Sequence, residues 1–332
     1  MNSPFPKSSS SPGKGRIVVR LGPDGSTSRL ETCTYQYPLK LITPMRPSQT
    51  KSALVFLLSY GGGLVAGDTV NLSIDIQPGA RLSVVTQGHT KIFKSPTPDV
   101  VTRQTLTAEI ASSAALCLLP DPVQPFEGSV YEQLQVFKVA RGGSLCLLDW
   151  VTQGRAARGE HWSFVRWTGK NEVWMVDGDG SDGERLLVRD SVILDCKQVH
   201  SQIPALRDAM HGMGVVGTLI LRGPLMKPLG EFFLAEFAAL PRLGARDWRS
   251  EEAKKAEEEK MSPHERWRAE RIQCEKENKL LWSAASVRGC VVVKFGSPEV
   301  EASQRWLGSM LAKEGSIARH FDEQAMMCLR CH

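Results

Sequence analysis

From about Ile17 to Leu240, apolar and β-branched residues come in short runs cut by Gly, Pro, Asp and Asn. Runs of that length between turn formers predict short strands, and no helical periodicity competes with them until late in the chain. Three stretches share one shape. LSIDIQPGARLSVVT starts at Leu72, LTAEIASSAALCLLP at Leu106 and LQVFKVARGGSLCLLD at Leu134. Each is an alternating strand, a turn of small residues, then a strand in which Leu opens an apolar run. Gly79, Ser113 and Gly142 align in the turn, and Leu82, Leu116 and Leu145 align after it. The third copy carries one extra residue before its turn, as a bulge would. Units of equal shape at a spacing of about 30 residues predict a helically layered β architecture. An ordinary sandwich, whose hairpins also look alike, is the alternative.

The pattern changes after Leu240. RDWRSEEAKKAEEEKMSPHERWRAERIQCEKENK, from Arg246 to Lys279, is dense in Glu, Lys and Arg. Pairs such as Glu252 and Lys255 suit a solvated helix, and Pro263 is expected to interrupt it. The arm offers few apolar residues to a core, so Arg249 to Lys276 is expected to be dispensable for stability. CVVVKF, from Cys290 to Phe295, then predicts a buried strand. Gln304 to Lys313 predicts an amphipathic helix with Trp306, Leu307, Met310 and Leu311 on one face. That helix should either close the β core or dock a partner, with Trp306 and Met310 as the anchors.

Composition narrows the function classes. The 332 residues are 42% hydrophobic, enough for a sizeable core, and the net charge of +5 is too weak and dispersed to argue for nucleic acid. No apolar run approaches a membrane span. The first 16 residues lack an apolar signal core. They are basic and Ser-rich, which a transit peptide would match, but a disordered tail is the better reading. The eight cysteines, several inside apolar runs, read as reduced thiols in a cytoplasmic protein.

Candidate chemistry is sparse. SYGGGLVAGD, from Ser59 to Asp68, is Gly-rich but has neither phosphate-loop spacing, and strand follows it; a tight turn that places Asp68 is favoured. TQGHTKIFKS holds His89 and Lys91 after a strand, and a lone His is more often structural than a ligand. GRAARGEHW crowds Arg155, Arg158, Glu160 and His161 into a loop, as a local salt bridge or as a contact or ion-guiding loop. The last residues, Cys328, Cys331 and His332, spell CxxCH; a soft-metal clip competes there with a frayed tail. No GxSxG, HExxH or paired CxxC is present. A β-fold hydrolase or isomerase would have to use Asp68, His89 and Glu160, joined in one pocket with a raised carboxylate pKa.

Several blocks together resemble the urease accessory protein UreD (UreH) family. GGGLVAGD followed by an alternating strand and PGARLSVVTQGHTKIFKS is similar to that family's Gly-rich turn, Asp and Thr-Lys-aromatic-basic-Ser segment. LLPDPVQPFEGSVYEQ resembles its Pro-centred turn, LLDWVTQGRAARGEHW its Gly-Arg block, and VVGTLIL a further strand. The likeness runs from about Leu30 to Arg330. His89 replaces a usual small residue, and the longer charged arm suggests a eukaryotic, fungal-like member. The resemblance implies a mainly β fold with few helices, one domain over 17–332 with a charged helical insert at about 246–279, and no catalysis by the chain. It implies assembly with a UreF-like accessory protein, a UreG-like GTPase and apo-urease, with nickel passing through and no cofactor held tightly.

If the three units stack, their turn-following polar residues stack too. Thr86, Gln87 and His89, then Asp121 and Gln124, then Asp149, Thr152 and Gln153 would line one edge, joined by Asp68 and Glu160. Carboxylate, hydroxyl, amide and imidazole donors would pass a divalent ion without the tight grip of thiolates. The transient nickel path is therefore expected at Asp68, Thr86, His89, Asp149 and Glu160; loops that simply face solvent are the alternative.

Overall fold

The computed structural model describes residues 11–44, 50–177, 183–196, 205–241 and 261–330. In chain order the strands are β1 (Lys14–Leu21), β2 (Ser28–Tyr35), β3 (Leu39–Ile42), β4 (Ala53–Ser59), β5 (Thr69–Ile76), β6 (Arg81–Val85), β7 (Thr90–Ile92), β8 (Thr102–Ile110), β9 (Ala115–Leu118), β10 (Val123–Pro125), β11 (Val130–Ala140), β12 (Ser144–Thr152), β13 (Arg166–Val176), β14 (Arg185–Asp195), β15 (Val215–Arg222), β16 (Leu281–Val287) and β17 (Cys290–Ser297). The helices are α1 (Leu206–Ala209), α2 (Lys227–Ala238), α3 (Pro263–Glu277), α4 (Val300–Glu314) and α5 (Ser316–Phe321). Lys14, Gly15 and Arg16, expected in the tail, are already strand.

Two sheets face each other. The first runs β14–β13–β11–β8–β5–β1–β2 and the second β16–β17–β15–β12–β9–β6–β4–β3, with β10 joining β12 and β7. Each repeat unit gives one strand to the first sheet and the next to the second. β5, β8 and β11 lie parallel in one sheet, and β6, β9 and β12 lie parallel in the other. The two strands of a unit are therefore not a hairpin: the chain winds from sheet to sheet and advances one strand per turn. The turn needs a left-handed residue, and Gly79, Ser113 and Gly142 supply it at φ of 75°, 60° and 83°. Leu82, Leu116 and Leu145 pair in register, as the repeat predicts.

The third unit departs from the expected alignment. Leu106 pairs with Gln135, not with Leu134, and the β8–β11 register runs unbroken, so the extra residue is no bulge. It shifts the phase of β11 by one. Tyr131, Gln133, Gln135, Phe137 and Val139 are buried, where β5 puts Leu72, Ile74 and Ile76. A one-residue slip exchanges the two faces of a strand. Here it brings two amides into the space between the sheets.

The middle strands of the second sheet are buried on both faces. Leu116, Leu145 and Leu147 belong to the core between the sheets. Cys117, Cys146, Leu148 and Trp150 belong to a second core under the helices. That two-sided burial explains the unbroken apolar runs of β9 and β12.

The charged arm corrects an expectation. Residues 246–260 of it lie outside the described residues. The rest is α3, which Pro263 starts rather than interrupts: Pro occupies the first turn, and Ser262 and Glu265 close a capping box. Nor is α3 a solvated helix throughout. Arg271 and Glu275 are 6% and 7% exposed. Arg268 and Arg271 hold Glu236 of α2 at 2.7 and 3.1 Å, and Arg271 also pairs with Glu275. Trp306 of α4 donates Nε1–H to Glu275 at 2.8 Å. Trp306 and Met310 are buried among Phe233, Trp282 and Phe295, so the amphipathic helix closes a core.

Candidate functional site

The phase shift of β11 has a chemical result. Gln133 Nε2 donates to Asp149 Oδ1 at 2.8 Å, and Asn171 Nδ2 of β13 donates to Asp149 Oδ2 at 2.7 Å. Behind them, Tyr131 donates its hydroxyl to Gln133 at 3.1 Å and Gln135 donates to Asn171 at 2.9 Å. Two chains of donors thus converge on one carboxylate. Asp149 is not a loop residue, as the repeat suggested, but lies within β12 opposite Thr218 of β15. Burial pushes its pKa up, the bonds from Asn171 and Gln133 oppose this, Asp190 pushes it further up and Lys294 pulls it down; the net shift is upward.

Asp149 opens on a cleft of about 570 Å³ between the two sheets. Its walls are apolar: Val192 and Leu194 of β14, Val216 of β15, Leu281 of β16, and Met210 and Met213. Its polar groups are Asp149, Asp190, Thr218, Ser283 and Lys294. Both edge strands, β14 and β16, contribute to it.

The other expected path residues do not line this cleft. Thr86 donates to Asp121 Oδ2 at 2.9 Å and accepts from the Asp121 amide at 2.7 Å, so the first two polar loops do stack. Gln124 reaches the Gly154 carbonyl at 3.3 Å and links the second loop to the third. His89 is half-buried; burial lowers its pKa against the pull of Asp121 and Glu301, which keeps the imidazole neutral near pH 7. Asp68 Oδ2 accepts from the Val65 amide at 2.9 Å and closes the Gly-rich turn. Glu160 is buried and accepts from the Arg155 amide at 2.8 Å and from its guanidinium, which also lies 3.8 Å over the Phe126 ring. Burial raises the Glu160 pKa, but the hydrogen bonds and charge of Arg155 outweigh it and hold the carboxyl low. Among the described residues Asp68, His89 and Glu160 have no partner in common, and Glu160 is shifted the wrong way for a general acid.

The C-terminal motif offers no soft ligand at Cys328. Its thiol is buried against Thr86, and burial followed by the Asp121 charge pushes its pKa up to about 12. Cys331 and His332 lie outside the described residues. Among the described residues no group of three or more His, Cys, Asp and Glu could hold a metal ion, and no helix is long and apolar enough to cross a membrane.

Gln133, Gln135, Asn171, Asp190, Thr218 and Lys294 were not among the expected site residues. Two signals stood in the sequence: polar residues at alternating positions in β11, and a lysine inside the apolar run CVVVKF. Neither identifies its cross-sheet partner.

Residues 13–327 match the family model of the UreD urease accessory protein. The chain is 31% identical over 287 residues to an uncharacterized urease accessory protein ureD-like of Schizosaccharomyces pombe, covering 86% of this chain and 89% of that one. It is 30% identical to urease accessory protein 4 of Cryptococcus neoformans, covering 92% and 91%. A bacterial relative, urease accessory protein UreD of Sorangium cellulosum, is 37% identical over 206 residues, 62% of this chain and 61% of that one.

Proposed function

From the premise that this chain belongs to the UreD urease accessory protein family, and so is an accessory factor rather than an enzyme, we propose that it is a cytoplasmic scaffold that assembles with a UreF-like protein and a UreG-like GTPase on apo-urease and lets nickel pass between them. The two fungal relatives favour a eukaryotic, fungal-like member of the family. GTP hydrolysis falls to the GTPase partner, since no phosphate-binding loop is spelled in this chain. The reading treats residues 17–332 as one domain.

The observation that carries the nickel reading is the chemistry of Asp149. It is a half-buried carboxylate held by neutral amides, with no cation in direct contact among the described residues, on an open cleft. A partly desolvated charge without a counter-ion attracts one. One carboxylate with amide and hydroxyl neighbours binds a divalent ion weakly enough to release it. In this proposal Asp149 is the central member of the path. Thr86 and the neutral His89 are proposed members at the stacked-loop end, and Asp68 and Glu160 hold the turns that carry the path. Trp306 and Met310 serve partner binding indirectly, by seating the helices.

The test is urease activation in cells that lack the native chain. Asp149→Ala should lower urease nickel content and activity while the UreF-like partner and apo-urease still co-purify. The double substitution Asp68→Ala/Glu160→Ala tests the turn residues in the same way. Normal activation by Asp149→Ala would remove the cleft from the path, and loss of co-purification would point to a scaffold defect instead.

A further inference from the structure

The strand registers place a polar band across the cleft. On the second sheet Asp149, Thr218, Lys294 and Ser283 stand side by side on β12, β15, β17 and β16. On the first sheet Gln135, Asn171 and Asp190 stand side by side on β11, β13 and β14. The neighbouring row of the second sheet is Val151, Val216, Gly296 and Leu281, which is apolar throughout. The band runs from the edge strands inward to Asp149. Lys294 stands two strands nearer the mouth, about 10 Å at the usual strand spacing.

Lys294 spans the gap between the sheets. Its Nζ is 2.6 Å from Asp190 Oδ1 and 3.2 Å from Thr218 Oγ1. Of the cleft's two carboxylates Asp190 therefore holds the ammonium, and among the described residues Asp149 is left with neutral donors only. The lysine side chain is 51% exposed and Asp190 11%. Such a pair exchanges cheaply with solvent or another ion. An ammonium on a four-carbon stem is also a mobile point charge, unlike a guanidinium clamped in a fork.

We infer that Lys294 is the cleft's resident cation: a tethered ammonium, parked on Asp190 and Thr218, that competes with a divalent ion for the field of Asp149 and Asp190 and so keeps the ion in transit. This rests on the proposal above that a divalent cation passes Asp149. The device needs no conformational change of the sheets, only a swing of one side chain. Its consequence is specific: removing the ammonium should convert a weak passage into a holding site.

The experiment measures nickel binding to the purified full-length chain by titration calorimetry in a non-chelating buffer. Lys294→Gln keeps a donor for Asp190 and Thr218 but removes the charge; nickel should bind about tenfold more tightly. Lys294→Met should do the same, and serves if the glutamine variant does not fold. Lys294→Arg keeps the charge and should show no such gain in affinity. Adding Asp149→Asn to either neutral variant should abolish the gain. An ion pair that merely ties the sheets together would lower thermal stability in both neutral variants without tightening nickel. Nickel affinity unchanged in Lys294→Gln and Lys294→Met, while Asp149→Asn alone weakens it, overturns the resident-cation role and leaves the passage standing. Affinity insensitive to Asp149→Asn as well overturns both.

Discussion

Glu236 is buried and Asp149 half-buried, on opposite sides of the second sheet, and their surroundings differ sharply. Glu236 is 1% exposed and is gripped by Arg268, Arg271 and His264. Burial alone would raise its pKa, but the bonds from Arg268 and His264 and the charges of Arg268 and Arg271 prevail, and it lies below the ordinary value. Asp149 faces an open cleft, receives only amide hydrogen bonds, and lies above the ordinary value. One carboxylate has its counter-ions, and one of these, Arg271, also holds the Glu275 that Trp306 bonds; the other is short of a cation. The difference separates a joint that fastens a charged helix to a β core from a group available to a passing ion.

The comparison can be broken first on the Glu236 side. Trp306→Ala removes buried indole packing and the bond to Glu275, and should destabilise the chain by about 3–5 kcal/mol in urea unfolding at pH 7. A loss under about 1 kcal/mol would mean that α3 and α4 are held some other way. Glu236→Gln comes next. It leaves Arg271, whose side chain is 4% exposed, without that partner, and should cost about 3 kcal/mol or more. Deleting residues 261–279 should be at least as damaging, against the expectation drawn from composition, because α3 supplies three ionic partners of the buried Glu236: His264, Arg268 and Arg271. Asp149→Asn should change stability least, within about 1 kcal/mol, since one amide must turn but the carboxylate's desolvation cost disappears.

A pH series sharpens the contrast, because the two groups have opposite signs. Glu236 has a lowered folded pKa, so its stabilisation is present above the unfolded value of about 4.3 and is lost as the pH falls through the folded one. The penalty of Glu236→Gln should therefore shrink on acidification. Asp149 has a raised folded pKa, so its contribution is complete below about 3.9 and is lost as the pH rises through the folded value. Asp149→Asn should accordingly improve relative to the unaltered chain as the pH rises above about 4. Parallel curves for the two variants would show that the two sites do not differ as described.

Much of the architecture was legible in the chain. The repeat announced itself through the left-handed turn residues Gly79, Ser113 and Gly142 and the leucines that follow them. The family likeness lay in blocks such as GGGLVAGD and TQGHTKIFKS. The candidate site was less legible. Asp149 stood out as a polar residue ending an apolar run, but its assignment to a loop was wrong because β12 continues past it to Thr152. The alignment of Leu134 with Leu106 hid the phase of β11, and with it the inward turn of Gln133 and Gln135.

What the sequence determined by itself was local: where strands begin and turn, which runs are apolar on both faces, and where α4 has its buried side. These depend on neighbouring residues and on fixed periods of two and 3.6. Tertiary structure decided which polar groups meet. Lys294 and Asp190 are 104 positions apart and Gln133 and Asp149 are 16 apart. Only the sheet pairings, parallel around β11 and β12 and antiparallel at β14, β15 and β17, fix register between strands distant in sequence and bring them to one cleft. Composition placed the charged helix α3 in solvent for the same reason, because the partners that allow Arg271 to be buried, Glu236 and the tryptophan cluster, are supplied by other elements of the fold.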